Sequence, residues 1–500
     1  PRGHLPVTVA AAVGVVALTL VPIAFIVVAT IDAGPALVAQ LVFRPRVAEL
    51  IGNTVALQLV VVPATVLIGT GAALLVERTR VPRWLSAAFV APLAVPAFVM
   101  SYAWATVWPS ISGLAGASLI ATISYFPFVY LPVLATLRRM DPALEESGTA
   151  LGLMPVEVLW RVTLPQLRLP VLGGVLLVAL HLLAEYGAFA FVRFDTFTTA
   201  IYDQFRSTFA APAASMLAGV LVLLCLVVLG GEAAVRGRRR HARIGAGVAR
   251  RAQRVRLGVW AVPVWAAVAT LLAAALGVPA WSLVHWLSVG FELDPGIVQA
   301  LASTLGLAAV GALATCLAAG PIAWLSVRRP ARWSRALEGL AFMASSLPGI
   351  VVGLAFVTVA IRWVPAVYQT TLLLLGAYVV LFLPRAVASL RGGIAQVPMS
   401  LGEASSSLGQ TPMRTLLRVT VPVLAPAFGA GAAMAFLGIA GELTATLLLA
   451  PTGTTTLATR FWSLSSELDY PASAPYALLL IALSVPMTII LFRQTQGDRR

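Results

Sequence analysis

The sequence predicts an all-α polytopic membrane protein: about 12 transmembrane helices in two tandem six-helix repeats related by a pseudo-two-fold axis. Composition, the number of apolar runs and an internal duplication predict it. The 500 residues are 60% hydrophobic and 11% charged, with a mean hydropathy of +0.94. Soluble domains carry about 25% charged residues, so the solvent for most of this surface is lipid.

A bilayer core about 30 Å thick needs about 20 apolar residues per helix. Six such runs lie in the first part of the chain, at 7–30, 53–76, 85–108, 114–137, 171–192 and 212–235. The run at 7–30 is too long and unbroken for a signal-peptide core and reads as a spanning helix; the chain begins at Pro1 rather than Met, as a trimmed N-terminus would. Residues 236–256, RGRRRHARIGAGVARRAQRVR, form a cationic linker that cannot cross hydrocarbon. Six more runs follow, at 257–284, 304–327, 337–361, 371–390, 427–449 and 475–492. The domains read as a first repeat over 1–235, the linker, and a second repeat over 257–500.

The net charge is +15 and contains no lysine. The arginines cluster in the linker and in alternate loops, around Arg78, Arg80 and Arg83, Arg138 and Arg139, Arg328 to Arg335, Arg391 and the C-terminal tail. Acids occupy the opposite loops: Asp32, Asp195, Asp203, Glu292, Asp294, Glu467 and Asp469. Arginine-rich loops stay on the cytoplasmic side, so both termini and the linker are expected there. This pattern, rather than nucleic-acid binding, accounts for the charge. A P-loop needs its lysine to reach nucleotide phosphates, so any ATP chemistry belongs to a separate subunit. Cys225 and Cys316 lie in apolar runs, where neither a disulfide framework nor a metal cluster is expected.

The duplication is clearest in a polar element. Residues 144–165, LEESGTALGLMPVEVLWRVTLP, align without a gap on 401–422, LGEASSSLGQTPMRTLLRVTVP. Glu146 falls on Glu403, Gly152 on Gly409, Pro155 on Pro412 and Pro165 on Pro422. The offset still holds at Glu185/Glu442, Ala188/Ala445 and Thr198-Thr199/Thr455-Thr456. Earlier, Asn53-Thr54 resembles Ser303-Thr304, Trp84 resembles Trp333, and Pro96 and Pro348 fall at similar depth. In each element a carboxylate and small residues (Glu145, Glu146, Ser147, Gly148; Glu403, Ala404, Ser405) open a short helix, expected over 145–151 and 403–408. Gly152 and Gly409 are placed to end it in the left-handed conformation. Pro155 and Pro412 start a second helix, and Pro165 and Pro422 are expected to stop it. Two short helices at an angle make a knob suited to another protein's groove.

Glu, small residues, Leu-Gly and a later Leu-Pro resemble the cytoplasmic coupling loop of ABC-importer permeases, whose consensus is Glu-Ala-Ala, three residues, Gly, nine residues, Ile, then Leu-Pro. Glu146-Ser147-Gly148 with Gly152, and Glu403-Ala404-Ser405 with Gly409, occupy those positions; neither copy has the full Glu-Ala-Ala triplet. The fused layout, with Phe197-Thr198-Thr199-Ala200-Ile201-Tyr202, Val278-Pro279-Ala280-Trp281 and Leu347-Pro348-Gly349-Ile350-Val351, resembles the ferric-iron transport permeases over nearly the whole chain. The resemblance implies a bacterial plasma (inner) membrane permease with type I importer repeats and coupling loops over 141–170 and 398–426. It also implies two copies of a cytoplasmic ATPase subunit that hold ATP and Mg, and an extracytoplasmic binding protein that delivers ferric iron. The permease itself would be no enzyme and would bind no cofactor.

Glu185 and Glu442 lie deep in the fifth run of each repeat. A carboxylate inside a span is costly unless it is paired or lines water. Two such acids, with the phenol of Tyr186, would make a pathway constriction and transient metal ligands suited to a hard trivalent cation. Burial with a hydrogen-bonded partner is the structural alternative. His181, a turn before Glu185, is expected to make a structural hydrogen bond, since Gly438 replaces it in the second copy. Tyr102, Tyr125, Tyr130 and Tyr378 read as packing aromatics; Pro92, Pro96 and Pro348-Gly349 break or kink the third spans. The spans show very few arginines, Arg193 and Arg362 lying near outer ends, so acids rather than arginines mark the centre, which favours a cationic cargo over an anion. The same architecture importing thiamine or a phosphorylated small molecule is the alternative within the class. An intramembrane enzyme would want a motif such as HExxH or GxSxG, and a channel a selectivity loop; the sequence has none of these.

Overall fold

The computed structural model describes residues 5–208, 211–236, 254–290, 294–344 and 347–496. Most of the basic linker, 237–253, and Glu292 lie outside the described residues. The described chain is helical, apart from one isolated bridge between Thr79 and Val255.

Nine described helices are long and apolar enough to cross a bilayer, or eleven if two bent pairs each count as one span. The expected count of about 12 is therefore not confirmed, and the difference falls at both third runs and at the fifth run of the first repeat. The run expected at 85–108 is two helical pieces, Trp84–Ala94 and Ala97–Val107, at 90° to each other. The run expected at 337–361 is also two pieces, Arg332–Ala344 and Gly349–Trp363. In both, a proline with extended ψ (Pro96, ψ 142°; Pro348, ψ 145°) immediately precedes the second helix. Proline has no N–H to give and pushes its predecessor out of the α region, so the break is local. The 15 residues of Gly349–Trp363 rise only about 22 Å, short of the hydrocarbon thickness.

The fifth runs also divide. Helix Arg168–Ala184 ends at Glu185 and a short helix, Gly187–Phe191, follows. Val421–Ala440 ends at Gly441, and Thr444–Leu449 follows. Glu185 and Glu442 therefore sit at breaks rather than within continuous helix.

Packing divides the chain differently from the repeat. One compact unit comprises 1–44, 200–222 and 292–483; the other comprises 45–199, 223–291 and 484–500. Each is built around the second, fourth and fifth spans of one copy: Gly296–Arg328, Thr371–Gln396 and Val421–Ala440 in the first, Pro45–Arg78, Pro127–Arg139 and Arg168–Ala184 in the second. In each, the helix after the third-span break packs on the short helix after the fifth-span break. The first spans are exchanged. Helix Leu5–Val42 packs on Gly296–Arg328 and Arg332–Ala344, burying Ala12 and Val16 against Cys316, Ala319 and Leu383. Val278–Gly290, from the opening span of the second repeat, packs on Ala97–Val107 of the first. The packing units do not coincide with the repeats expected at 1–235 and 257–500.

Candidate functional site

The two polar elements form from the expected signals. The first helix of each spans Ala143–Ala150 and Met399–Ser407, one to four residues from the expected bounds. Gly152 ends the first at φ 87°, with its N–H on the Thr149 carbonyl and the Leu153 N–H on Gly148. Those two bonds close a Schellman motif, which needs a left-handed residue at this position. Gly409 repeats it at φ 73°, with Gln410 N–H on the Ser405 carbonyl. Pro155 and Pro412 begin the second helices as expected.

Pro165 and Pro422 do not stop them. Each follows a π-helical turn, Leu159–Thr163 or Leu416–Thr420, and sits in the first turn of the next helix. The wider π turn moves the hydrogen-bond register, so the missing proline N–H falls where no helical partner is needed. The second helix of the second element thus runs on into the span Val421–Ala440.

The carboxylates of the first element have different surroundings. Glu145 is half-buried and turned inward: Arg78 Nη2 lies 2.7 Å from its Oε1, to which the Thr163 hydroxyl also donates at 2.8 Å. It ties the element to the end of helix Pro45–Arg78. Glu146 and Ser147 face outward, and Ser147 donates to the Ala143 carbonyl at 2.7 Å. Gly148 is buried against Leu153, Val158 and Val162. At the equivalent place Ser405 is buried and its hydroxyl pairs with Thr415 at 2.8 Å, so an apolar contact between the two short helices in one copy is a hydrogen bond in the other. Ala404 is exposed; the side chains of Glu403 and Pro412 lie outside what is described. Beside each glycine, an equivalent leucine stands in solvent: Leu151 is 84% exposed and Leu408 79%. Met154, Val156 and Trp160 extend the apolar surface of the first element. Polar knobs tipped with large apolar side chains have the composition of protein contact surfaces.

The intramembrane acids cap the short helices that follow them. Glu185 Oε1 accepts from the Ala188 N–H at 2.9 Å, and Tyr125 donates to its Oε2 at 2.6 Å. Glu442 accepts from the N–H groups of Ala445 (2.8 Å) and Thr446 (2.9 Å) and from the Thr446 hydroxyl (2.6 Å), which also pairs with Tyr378. Both side chains are half-buried, whereas Tyr186 is buried. Tyr125 and Tyr378, expected only to pack, are members of these networks; a tyrosine facing a conserved position of the repeat was the available signal. His181 Nδ1 meets the Leu177 carbonyl at 2.7 Å, the structural bond expected of it, and its ring packs on Phe128 at 4.4 Å. Among the described residues no three His, Cys, Asp or Glu side chains cluster to hold a resident metal ion.

The reading that the spans hold very few arginines leaves out one. Arg385 lies inside helix Thr371–Gln396, within the run expected at 371–390. A charge count over LFLPRAVASL would have found it.

The duplicated motifs at the opposite ends of the spans are ties. Asn53 donates to the Asp195 carbonyl at 3.0 Å, and the Thr304 hydroxyl accepts from the Leu457 N–H at 2.8 Å, each joining a second-span head to the threonine-rich loop of its own unit. Arg46 pairs with Asp195 at 2.8 Å; in the other unit Asp294 meets Arg460 at 3.3 Å and accepts from Tyr476 at 2.7 Å and Gly296 N–H at 2.8 Å. The Gly296 amide, then Tyr476 and Arg460, hold the Asp294 carboxyl below the ordinary carboxylate range.

A duplicated set of membrane helices with two exposed polar elements and no nucleotide-binding motif has the layout of a transport permease driven from outside. Residues 65–241 and 311–497 match the binding-protein-dependent transport system inner membrane component family. The chain belongs to this family: it is a multi-pass inner-membrane permease of the ABC transporters, without an ATPase domain, that works with an ATPase and a binding protein. The Fe(3+)-transport system permease protein FbpB 2 of Haemophilus influenzae is 32% identical over 479 residues, 94% of each chain. The ferric transport system permease protein FbpB of Actinobacillus pleuropneumoniae is 23% identical over 402 residues, 76% of this chain and 58% of its own. The sulfate transport system permease protein CysW of Synechocystis sp. is 31% identical over 203 residues, 35% of this chain and 72% of its own.

Proposed function

We propose that this chain is the permease of a ferric-iron importer. The observation that carries the reading is similarity to an Fe(3+)-transport permease across 94% of both chains. Two copies of a cytoplasmic ATPase subunit seat on the twin elements, one on each, and hold the ATP and Mg. Glu146, Ser147, Gly152 and Pro155 in one element, and Glu403, Ala404, Gly409 and Pro412 in the other, shape the seats. Glu145 fixes the first seat to its bundle, and Gly148 and Ser405 hold together the two short helices of their seats. ATP binding draws the ATPase subunits together, and each element passes the movement to its bundle as a lever. The Arg78–Glu145–Thr163 tie, at 2.7 and 2.8 Å, makes the first lever stiff at the end of its second span. Alternating access follows, with an extracytoplasmic binding protein presenting iron, hydrolysis resetting the permease, and both termini in the cytoplasm.

Glu185, Tyr186 and Glu442 line the route and act as transient oxygen ligands for the ion. Helix breaks support this reading, because backbone that leaves the helix at membrane depth is tolerated where it is packed in protein or borders a watery cavity, and transporter sites form at such breaks. The test is uptake in proteoliposomes that hold the permease with its ATPase and are supplied with the cognate binding protein. ⁵⁵Fe³⁺ should accumulate with ATP, whereas ³⁵S-sulfate and labelled thiamine should not. Accumulation of either alternative in place of iron overturns the assignment.

A further inference from the structure

Helix Ala261–Leu272, from the opening span of the second repeat, lies on the path between two fastenings to the first-repeat helices. At one end the Val255 N–H donates to the Arg78 carbonyl at 2.9 Å, and the Arg80 N–H donates to the Val255 carbonyl at 3.1 Å. At the other end, in the π turn Ala273–Gly277, the Ala274 carbonyl accepts from the Trp104 indole N–H at 3.2 Å. Between these fastenings a cavity of about 1580 Å³ separates the helix from Pro45–Arg78. All of its walls belong to the unit 45–199, 223–291 and 484–500. Drug-sized ligands occupy pockets of about 300–1,000 Å³, so the space suits a larger occupant.

Polarity changes along this cavity. Leu67, Ile68, Leu119, Ile123 and Leu271 wall one part of it, and Arg78, Thr79, Glu145, Glu146 and Thr149 the other. From Leu67 to Arg78 is 11 residues, about 16 Å along the helix, close to half of a hydrocarbon core about 30 Å thick. Arg78 stands two residues past the apolar run at 53–76, at headgroup level. The apolar part is open at its flank. Leu67 is 76% exposed there, and a Cβ at Gly71 would meet no atom within 4 Å, whereas one at Gly69 would strike the Phe126 carbonyl. An apolar space of this kind does not draw in water, and left empty it forfeits dispersion contacts along its walls. Acyl chains from the surrounding leaflet fill it without either cost.

We propose that the cavity holds one phospholipid with an ethanolamine headgroup, its tails between Leu67 and Leu271, its phosphate on Arg78 and its ammonium on Glu146. Arg78 gives one of its five N–H donors to Glu145 and makes no other hydrogen bond among the described residues. Glu146, which also borders the seat, is exposed and has no ion-pair partner among them. Guanidinium on phosphate and ammonium on carboxylate are both charge-assisted hydrogen bonds. A headgroup that is anionic alone leaves Glu146 unanswered, and a choline headgroup has no N–H to give it. The chain's own linker, RGRRRHARIGAGVARRAQRVR, is too cationic to fill apolar walls. Arg78, Glu145 and Thr163, the members of the tie under the first element, all border the cavity. The bound headgroup therefore stiffens the first lever; that consequence rests on the ATPase-seat reading, and the site rests on the cavity.

Native mass spectrometry of the purified full-length chain in mild detergent tests the site, after expression in a membrane of phosphatidylethanolamine, phosphatidylglycerol and cardiolipin. One phosphatidylethanolamine should stay on the wild type and on Gly71→Ala, whose methyl leaves the space open. Gly71→Phe and Ala267→Phe, which fill the cavity from its two walls, should lose it. Glu146→Gln should hold it at least about ten-fold less tightly. A wild type that retains no phospholipid, or filled variants that retain as much as the wild type, overturn the site. Phosphatidylglycerol or cardiolipin retained in its place overturns the headgroup assignment. In nanodiscs, stimulation of ATP hydrolysis by iron-loaded binding protein should fall when phosphatidylcholine replaces phosphatidylethanolamine at constant phosphatidylglycerol. Equal stimulation in both mixtures overturns the effect on the lever. If the lipid is retained but the loaded binding protein stimulates hydrolysis in neither mixture, the seat reading falls and the lipid site stands.

Discussion

Glu442 accepts three hydrogen bonds from the first turn of the helix after it, and Glu185 accepts one from the corresponding turn and one from Tyr125. Capping is what these side chains do in the fold and contact with the ion is what we propose for them, and the two roles separate by substitution. Glutamine keeps an oxygen to accept the N–H bonds but loses the charge; alanine loses both, and removal of a helix cap costs about 1 kcal/mol. The double variant Glu185→Gln, Glu442→Gln should assemble with its ATPase and melt within a few degrees of wild type while ⁵⁵Fe³⁺ import falls at least about ten-fold. Import at the wild-type rate would leave both acids as caps alone.

The elements show which parts of the fold are written locally. Gly152 and Gly409 were legible because a helix end that needs positive φ selects glycine, and both adopt it, at 87° and 73°. The starts at Pro155 and Pro412 were legible for the same kind of reason. The π turns before Pro165 and Pro422 were not, because a shift of hydrogen-bond register leaves no residue type behind. The breaks at Glu185 and Glu442 were hidden by the apolar residues that continue past them; hydropathy registers the depth of a segment but not whether its backbone stays helical. Exchange of the first spans was equally invisible, since an apolar run does not name the helix it packs against. Asp294 offers a test of the ties at the opposite ends of the spans. Its folded pKa is depressed, so its contribution to stability is fully present above the ordinary carboxylate value and is lost as pH falls through the depressed value. The gap in melting temperature between wild type and Asp294→Asn should hold steady from neutral pH to about pH 5 and close below about pH 4. A gap independent of pH down to pH 3 would show that the carboxylate is not what stabilises this corner.

At the scale of the whole molecule, the duplication gives two bundles of the same design that have diverged. Gly148 stands where Ser405 does, Val158 where Thr415 does and His181 where Gly438 does, while the helix-ending glycines, the following prolines and the capping acids are the same in both. The glycines, prolines and acids that shape the elements and break the spans are kept in common, whereas both the exposed apolar surface of the first element (Met154, Val156 and Trp160, aligned with Thr411, Met413 and Leu417) and the contacts inside the elements differ. The central claim is that energy enters through the twin elements, and Leu151 and Leu408 are their most exposed apolar points. The most direct measurement is ATP hydrolysis by the reconstituted transporter with and without iron-loaded binding protein, in the wild type and in Leu151→Asp, Leu408→Asp. The wild type should show hydrolysis stimulated by the loaded binding protein, and the double variant should lose that stimulation together with its co-purifying ATPase; stimulated hydrolysis at the wild-type rate in the double variant would contradict the account.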